Sequence, residues 1–243
     1  MQVLMRISGF LISLCLLSYL AQAQDTEYYL PKRERDWVPS HLFLSTDLIG
    51  LTRLSNPGNI YTSYQAKIDF DSYFLVVDAG YSKVKLSESL FDYSSQGMFY
   101  RVGPQVDFLP YSKDWNNLFF GLMYGWSAYQ DEIDHRSATS KWPESNLSLQ
   151  NNDLRAQWAE ANFGLSAHIV GPLFMGYVLR FKFARTLDDY DELYPWEIPG
   201  YGRADMTGRF EFNYHITYRI GFREKPLPLR PKKVRKEAPQ TEY

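Results

Sequence analysis

Between Arg209 and Phe222 every second residue is large and apolar: Phe210, Phe212, Tyr214, Ile216, Tyr218, Ile220 and Phe222. The residues between them are Arg209, Glu211, Asn213, His215, Thr217, Arg219 and Gly221, each polar, charged or glycine. Successive side chains of a strand point to opposite faces, so the first set lines one face and the second set the other. Strands of water-soluble sheets alternate too, but they usually run about five or six residues. An alternation sustained this long has one face suited to hydrocarbon and one suited to a polar interior. That is the pattern of a transmembrane β-barrel strand.

Seven earlier segments carry the same pattern, at about 41–51, 60–70, 72–83, 97–108, 117–130, 156–169 and 173–186. In the second, Tyr64, Ala66, Ile68 and Phe70 oppose Ser63, Gln65, Lys67 and Asp69. In the fifth, Leu118, Phe120, Leu122, Tyr124 and Trp126 oppose Gly121, Gly125 and Ser127. Pro104 lacks an N–H for the ladder, so a bulge is expected in the fourth. Short links at Asp71-Ser72, 109–116 and 170–172 alternate with longer ones at about 52–59, 84–96, 131–155 and 187–208. Short turns on one side and long loops on the other fit an outer-membrane barrel. The expected fold is therefore all-β: an eight-stranded antiparallel up-and-down transmembrane barrel over 41–222, with both ends on the short-turn, periplasmic side.

The chain ends read differently. Arg6 precedes an apolar run over Phe10–Leu20 and the small-x-small site Ala21-Gln22-Ala23, which predicts a signal peptide over 1–23. Residues 24–40 form a polar periplasmic lead-in. Residues 223–243 hold four prolines, and seven Lys or Arg against three Glu, with no periodicity. This basic tail is expected to be disordered. Cys15, the sole cysteine, falls in the leader, so the mature chain can form no internal disulfide. Aromatics reach 17%, with nineteen Tyr, and Tyr and Trp favour membrane interfaces.

The alternation assigns the two faces. Leu122, Tyr177, Leu179, Phe181, Phe212, Tyr214, Ile216 and Tyr218 are expected to face lipid. Asp69, Asp78, Arg101, Asp107, Glu160, Arg180, Lys182, Arg209, Glu211, His215 and Arg219 are expected in the lumen, with Asn162 and His168 on the same stripe. Eight strands enclose just enough room for side chains, so these charges should pair as a plug.

The leader ending Ala-Gln-Ala-Gln and the eight strands resemble the small eight-stranded outer-membrane barrels of Bacteroidota, broadly OmpA/OmpX-like. The resemblance covers about 41–222 and rests on pattern. It implies outer-membrane localisation and, for many such barrels, no assigned function. Members of that group often end at the last strand's aromatic residue, whereas this chain continues past Phe222.

Candidate chemistry is sparse. His215-x-Thr217 is loosely similar to the His-x-Ser pair of outer-membrane lipid A deacylases, which would need the hydroxyl activated by His and the His oriented by a carboxylate. The residues expected in the lumen here would instead face away from lipid. Asp131, Glu132, Asp134 and His135, and Asp188, Asp189, Asp191, Glu192 and Glu197, stud the third and fourth loops. Rim carboxylates can activate water, as in outer-membrane proteases, or hold Ca²⁺, but those protease barrels are larger and no EF-hand-like spacing occurs, so a solvated acidic surface is expected. No phosphate loop, zinc spacing or nucleophile elbow occurs. The reading is a non-enzymatic barrel with no metal or cofactor. Its role would be structural or interactive in the envelope, compatible with an accessory of secretion or envelope assembly. Its partners would be outer-membrane lipid and a periplasmic partner of the tail, with no nucleic acid. The alternatives are a lipid-modifying enzyme of the deacylase type and a soluble periplasmic lipid-binding barrel, which would carry its apolar face inward.

Overall fold

The computed structural model describes residues 35–53, 58–110, 112, 114–135, 147–187 and 193–224, together with the pairs 28–29 and 232–233. The proposed signal peptide, most of the lead-in and nearly all of the tail lie outside these residues. Tyr28-Tyr29 and Lys232-Lys233 form a short antiparallel ladder belonging to a separate unit.

Eight strands close into an antiparallel ring in sequence order. They are β1 (His41–Asp47), β2 (Asn59–Phe70), β3 (Tyr73–Ser87), β4 (Phe91–Asp107), β5 (Asn117–His135), β6 (Leu147–Val170), β7 (Leu173–Leu187) and β8 (Arg209–Gly221). β8 pairs with both β7 and β1, and that pairing closes the ring. Closure leaves almost no free edge, the usual hazard of a sheet.

Three expectations need correction. The first strand stops at Asp47, where Leu48–Arg53 turns into a short helix, α1. The Asp47 carboxylate accepts the Ile49 N–H at 3.1 Å, a local bond that competes with continuing the ladder. Pro104 causes no bulge: it sits opposite Leu75, and the pairing of β4 with β5 resumes in the same register beyond it. Register shifts fall instead in β6 and its partners, near Asp153 and Ala184, which take positive φ of 61° and 52°. Finally, 84–96 is largely strand, and so are 131–135 and 147–155. β3 and β4 run on to a link at 88–90, and β5 and β6 extend to 135 and from 147. The link between β3 and β4 is therefore short, and the strands at that end overhang the ring.

At the short-turn end, Asp71 and Gly171 supply the left-handed conformation that two-residue links require. The segments that flank the barrel, 36–40 and 222–223, meet there. Phe222 donates its N–H to the Ser40 carbonyl at 3.1 Å, and Arg223 pairs with Asp36. Asp69 accepts from the Ser40 N–H, the Ser40 hydroxyl and the His41 N–H, at 2.8, 2.6 and 2.6 Å.

Candidate functional site

The inward positions fill the barrel in three layers, which follow the inward residues of β3 upward from its turn: Phe74 and Val76, then Asp78, then Gly80 and Ser82. The lowest layer packs Phe43, Phe74, Val76 and Met123. The Lys67 ammonium enters it and lies 4.8–5.3 Å from the rings of Phe43, Phe74 and Phe119. A cation so placed is attracted by the electron-rich faces of the rings. Among the described residues it has no carboxylate within ion-pair distance.

The middle layer is a closed ring of four charges. Arg101 contacts Asp78 at 3.1 Å and Glu160 at 3.6 Å. Arg180 contacts the same two carboxylates, both at 3.2 Å. All four side chains are 0% exposed. Two arginines alternate with two acids, so the ring is neutral, and each charge meets two of opposite sign. Further donors saturate the acids: the Ser63 hydroxyl reaches Asp78 at 3.0 Å, and the Trp158 indole N–H reaches Glu160 at 2.7 Å. Trp158 lies over Gly125 of β5, where an added Cβ would stand 2.3 Å from the indole. Above the ring, Asn213 accepts from Arg180 Nε at 2.9 Å and donates to Glu211 and Asp47. Glu211 also pairs with Lys182 and accepts the Tyr61 hydroxyl at 3.1 Å.

The top layer is built by the chain between β7 and β8. Ile198, Tyr201 and Ala204 are wholly buried against Phe99, Tyr129, Leu154 and Trp158. The Lys182 ammonium donates to the Gly200 carbonyl, Ser95 donates to the Glu197 carbonyl at 2.8 Å, and the Tyr93 hydroxyl accepts the Trp196 and Glu197 N–H groups. Gly200 takes φ +80°, and an added Cβ would stand 2.5 Å from Phe99, so only glycine fits this descent into the mouth.

These contacts correct the reading of a solvated acidic outer surface at Asp131 and Glu197, while Asp134 and His135 are exposed as expected. Residues 188–192 lie outside the described residues. Asp131, by contrast, is buried, held by Asn151 at 2.9 Å and by the Tyr93 hydroxyl. Burial holds the Glu197 carboxyl above the usual carboxylate range, and Arg209, Lys182 and Arg203 offset this only in part. Among the described residues no cluster of three or more His, Cys, Asp or Glu could hold a metal.

The expected lumen residues divide by depth. Asp78, Arg101, Glu160, Arg180, Lys182 and Glu211 join in one network, and His215 sits buried beside it. Arg209 packs against Gly202 near the top. Asp69, Asp107 and Arg219 line the short-turn end, with Arg219 over Trp115 and Phe174 at 5.2 and 5.3 Å. His168 is not in the lumen. It is exposed at the rim, with Nε2 2.9 Å from the Gly171 carbonyl. His215 and Thr217 form no dyad: Thr217 bonds the Ser45 hydroxyl at 2.7 Å, and among the described residues neither His215 nitrogen has a hydrogen-bond partner. Of the residues expected outward, Leu122, Tyr177, Leu179, Phe181, Phe212 and Tyr218 are exposed, while Tyr214 and Ile216 are half-covered by neighbouring strands.

The sequence reading did not single out Tyr61, Trp158, Asn213 or the buried loop residues. Tyr61 lies two residues before Ser63 on the polar face of β2, so extending that alternation backward would have found it. Ile198, Tyr201 and Ala204 carry no periodic signal.

A family model described as a domain of unknown function, DUF6048, matches residues 5–225. No curated protein and no solved structure matches the chain.

Proposed function

We propose that this chain, which belongs to the DUF6048 family, is an outer-membrane β-barrel with a structural or interaction role in the cell envelope and no catalytic chemistry of its own. The observation that carries the reading is an inverted polarity. Leu122 is 52% exposed and Phe210 67%, while Asp78, Arg101, Glu160 and Arg180 are 0% exposed. A water-soluble barrel that stores lipid would put its apolar face inside. Stacked outer aromatics, Tyr100 with Trp126 and Tyr177 with Phe212, add to the apolar wall. So extensive an apolar surface is unstable in water and stable in hydrocarbon. The three packed layers favour a closed lumen over a conducting one, and the charge ring is consumed by its own ion pairs. The reading is tested by fractionation and gel mobility. The protein should stay with outer membranes after carbonate extraction and migrate faster unheated than boiled. Release by carbonate or salt would overturn it.

The deacylase alternative has a direct test. His215→Gln and His168→Gln should leave the lipid A mass profile unchanged in cells whose barrel stays folded. A catalytic base would cost orders of magnitude in rate, so loss of one lipid A species on a single substitution would establish an enzyme.

The basic tail suits a periplasmic interaction arm. Since Arg223 is tied to Asp36, deletion should begin at Lys225. Removing 225–243 should leave barrel stability unchanged and abolish co-purification of an envelope partner, and capture by the intact chain should weaken as salt screens the charges. Unchanged capture would remove the tail from the interaction.

A further inference from the structure

Between β8 and β2 the wall of the ring is incomplete. β8 runs from Arg209 to Gly221, but its pairing with β1 covers only His215–Gly221. β1 in turn pairs with β2 only over Tyr64–Ile68 of the latter. Arg209–Tyr214 of β8 and Asn59–Ser63 of β2 therefore have no strand on the sides that face each other. Helix α1 stands in the interval and packs on both strands. Gly50 makes the approach to β2 close: an added Cβ would stand 2.7 Å from the Tyr61 carbonyl. The Tyr61 hydroxyl bonds Glu211 across the interval.

An unpaired backbone edge is costly where only hydrocarbon is available, and irregular backbone at membrane depth persists where it lines a polar cavity. Such a cavity is present. A cleft of about 480 Å³ opens beside α1, within the size range of small-ligand sites. Ile49, Ile60 and Phe212 give it an apolar side, and Arg53, Lys83 and Arg209 a cationic one. Its acids are largely occupied. Asp47 accepts from Ile49 and Asn213, and Glu211 from Lys182, Tyr61 and Asn213, which leaves Glu197 near Arg209. Arg53 and Lys83 have no carboxylate partner among the described residues, and Arg209 Nη1 is buried without a hydrogen-bond partner.

We infer that this interval is a lateral binding site for a phosphate-bearing membrane amphiphile, whose head group meets Arg53, Lys83 and Arg209 while its chains pass out beside Phe212. Arginine and lysine are the side chains suited to phosphate oxygens. The break in the wall gives a lipid a route that a closed ring denies it. The inference rests on the membrane reading above.

The test uses the full chain purified in a non-ionic detergent, with thermal unfolding followed as loss of the fast-migrating band. Dihexanoyl phosphatidic acid should raise the midpoint. Dihexanoyl phosphatidylcholine and inorganic phosphate at equal concentration should not. Lys83→Glu and Arg53→Glu should each weaken the apparent affinity about tenfold, as loss of a charge-assisted contact does. Arg155→Glu, an exposed reversal on β6, should leave it within about twofold. An equal response to phosphatidylcholine, or equal losses from all three substitutions, would overturn the site. A matching response to inorganic phosphate would overturn lateral binding of an amphiphile. Failure of the membrane reading is seen separately, as the absence of any fast-migrating band before ligand is added.

Discussion

Asp78→Asn should destabilise the folded barrel by about 3–5 kcal/mol, the cost of leaving a buried charge uncompensated. The substitution preserves shape but leaves Arg101 and Arg180 sharing Glu160 alone. Neither arginine can turn to water, because all four side chains are fully enclosed. The double variant Asp78→Asn with Arg101→Met should recover more than half of the loss. It keeps the Arg180–Glu160 pair at 3.2 Å and restores neutrality. Urea unfolding of the barrel in lipid, run as a double-mutant cycle, measures both effects. A double variant as unstable as the sum of its singles would mean that the charges do not act as a ring.

The second large effect concerns the outer wall. Leu122→Arg should cost about 2–4 kcal/mol and reduce insertion, as a cation does at the middle of a lipid-facing strand. Gln130→Arg is the control. Gln130 is on the same strand at an exposed position eight residues nearer the overhanging end, and it should be tolerated. In a water-soluble barrel both substitutions would be neutral, or would improve solubility. Ile216→Arg should also impair assembly. Asn213→Arg, which an open polar lumen would accept, should fail as well. Asn213 is bound by Arg180, Glu211 and Asp47, so a cation there meets a filled site.

Alternation made the strands legible. In β5 the exposed and buried residues switch one by one from Asn117 to Asp131, in phase with the apolar and polar residues of the sequence. The same phase placed Asp78, Arg101, Glu160 and Arg180 inside. It could not say which charges touch, because partners on β3, β4, β6 and β7 meet only once shear and closure set the height of each strand.

Local chain pattern was enough for the architecture: strand number, order, antiparallel sense and the two faces of the wall. Period two is a local property, and each strand carries it without reference to the others. Where strands stop and what fills the ends depended on contacts between distant segments. Asp47 halts β1 by accepting the Ile49 N–H, and the resulting gap exists only because β8 and β2 are both longer. Ile198, Tyr201 and Ala204 look like ordinary loop residues until Phe99, Leu154 and Trp158 offer them an apolar seat. Burial of that kind depends on surfaces brought from distant parts of the chain, and no spacing along 193–204 encodes it.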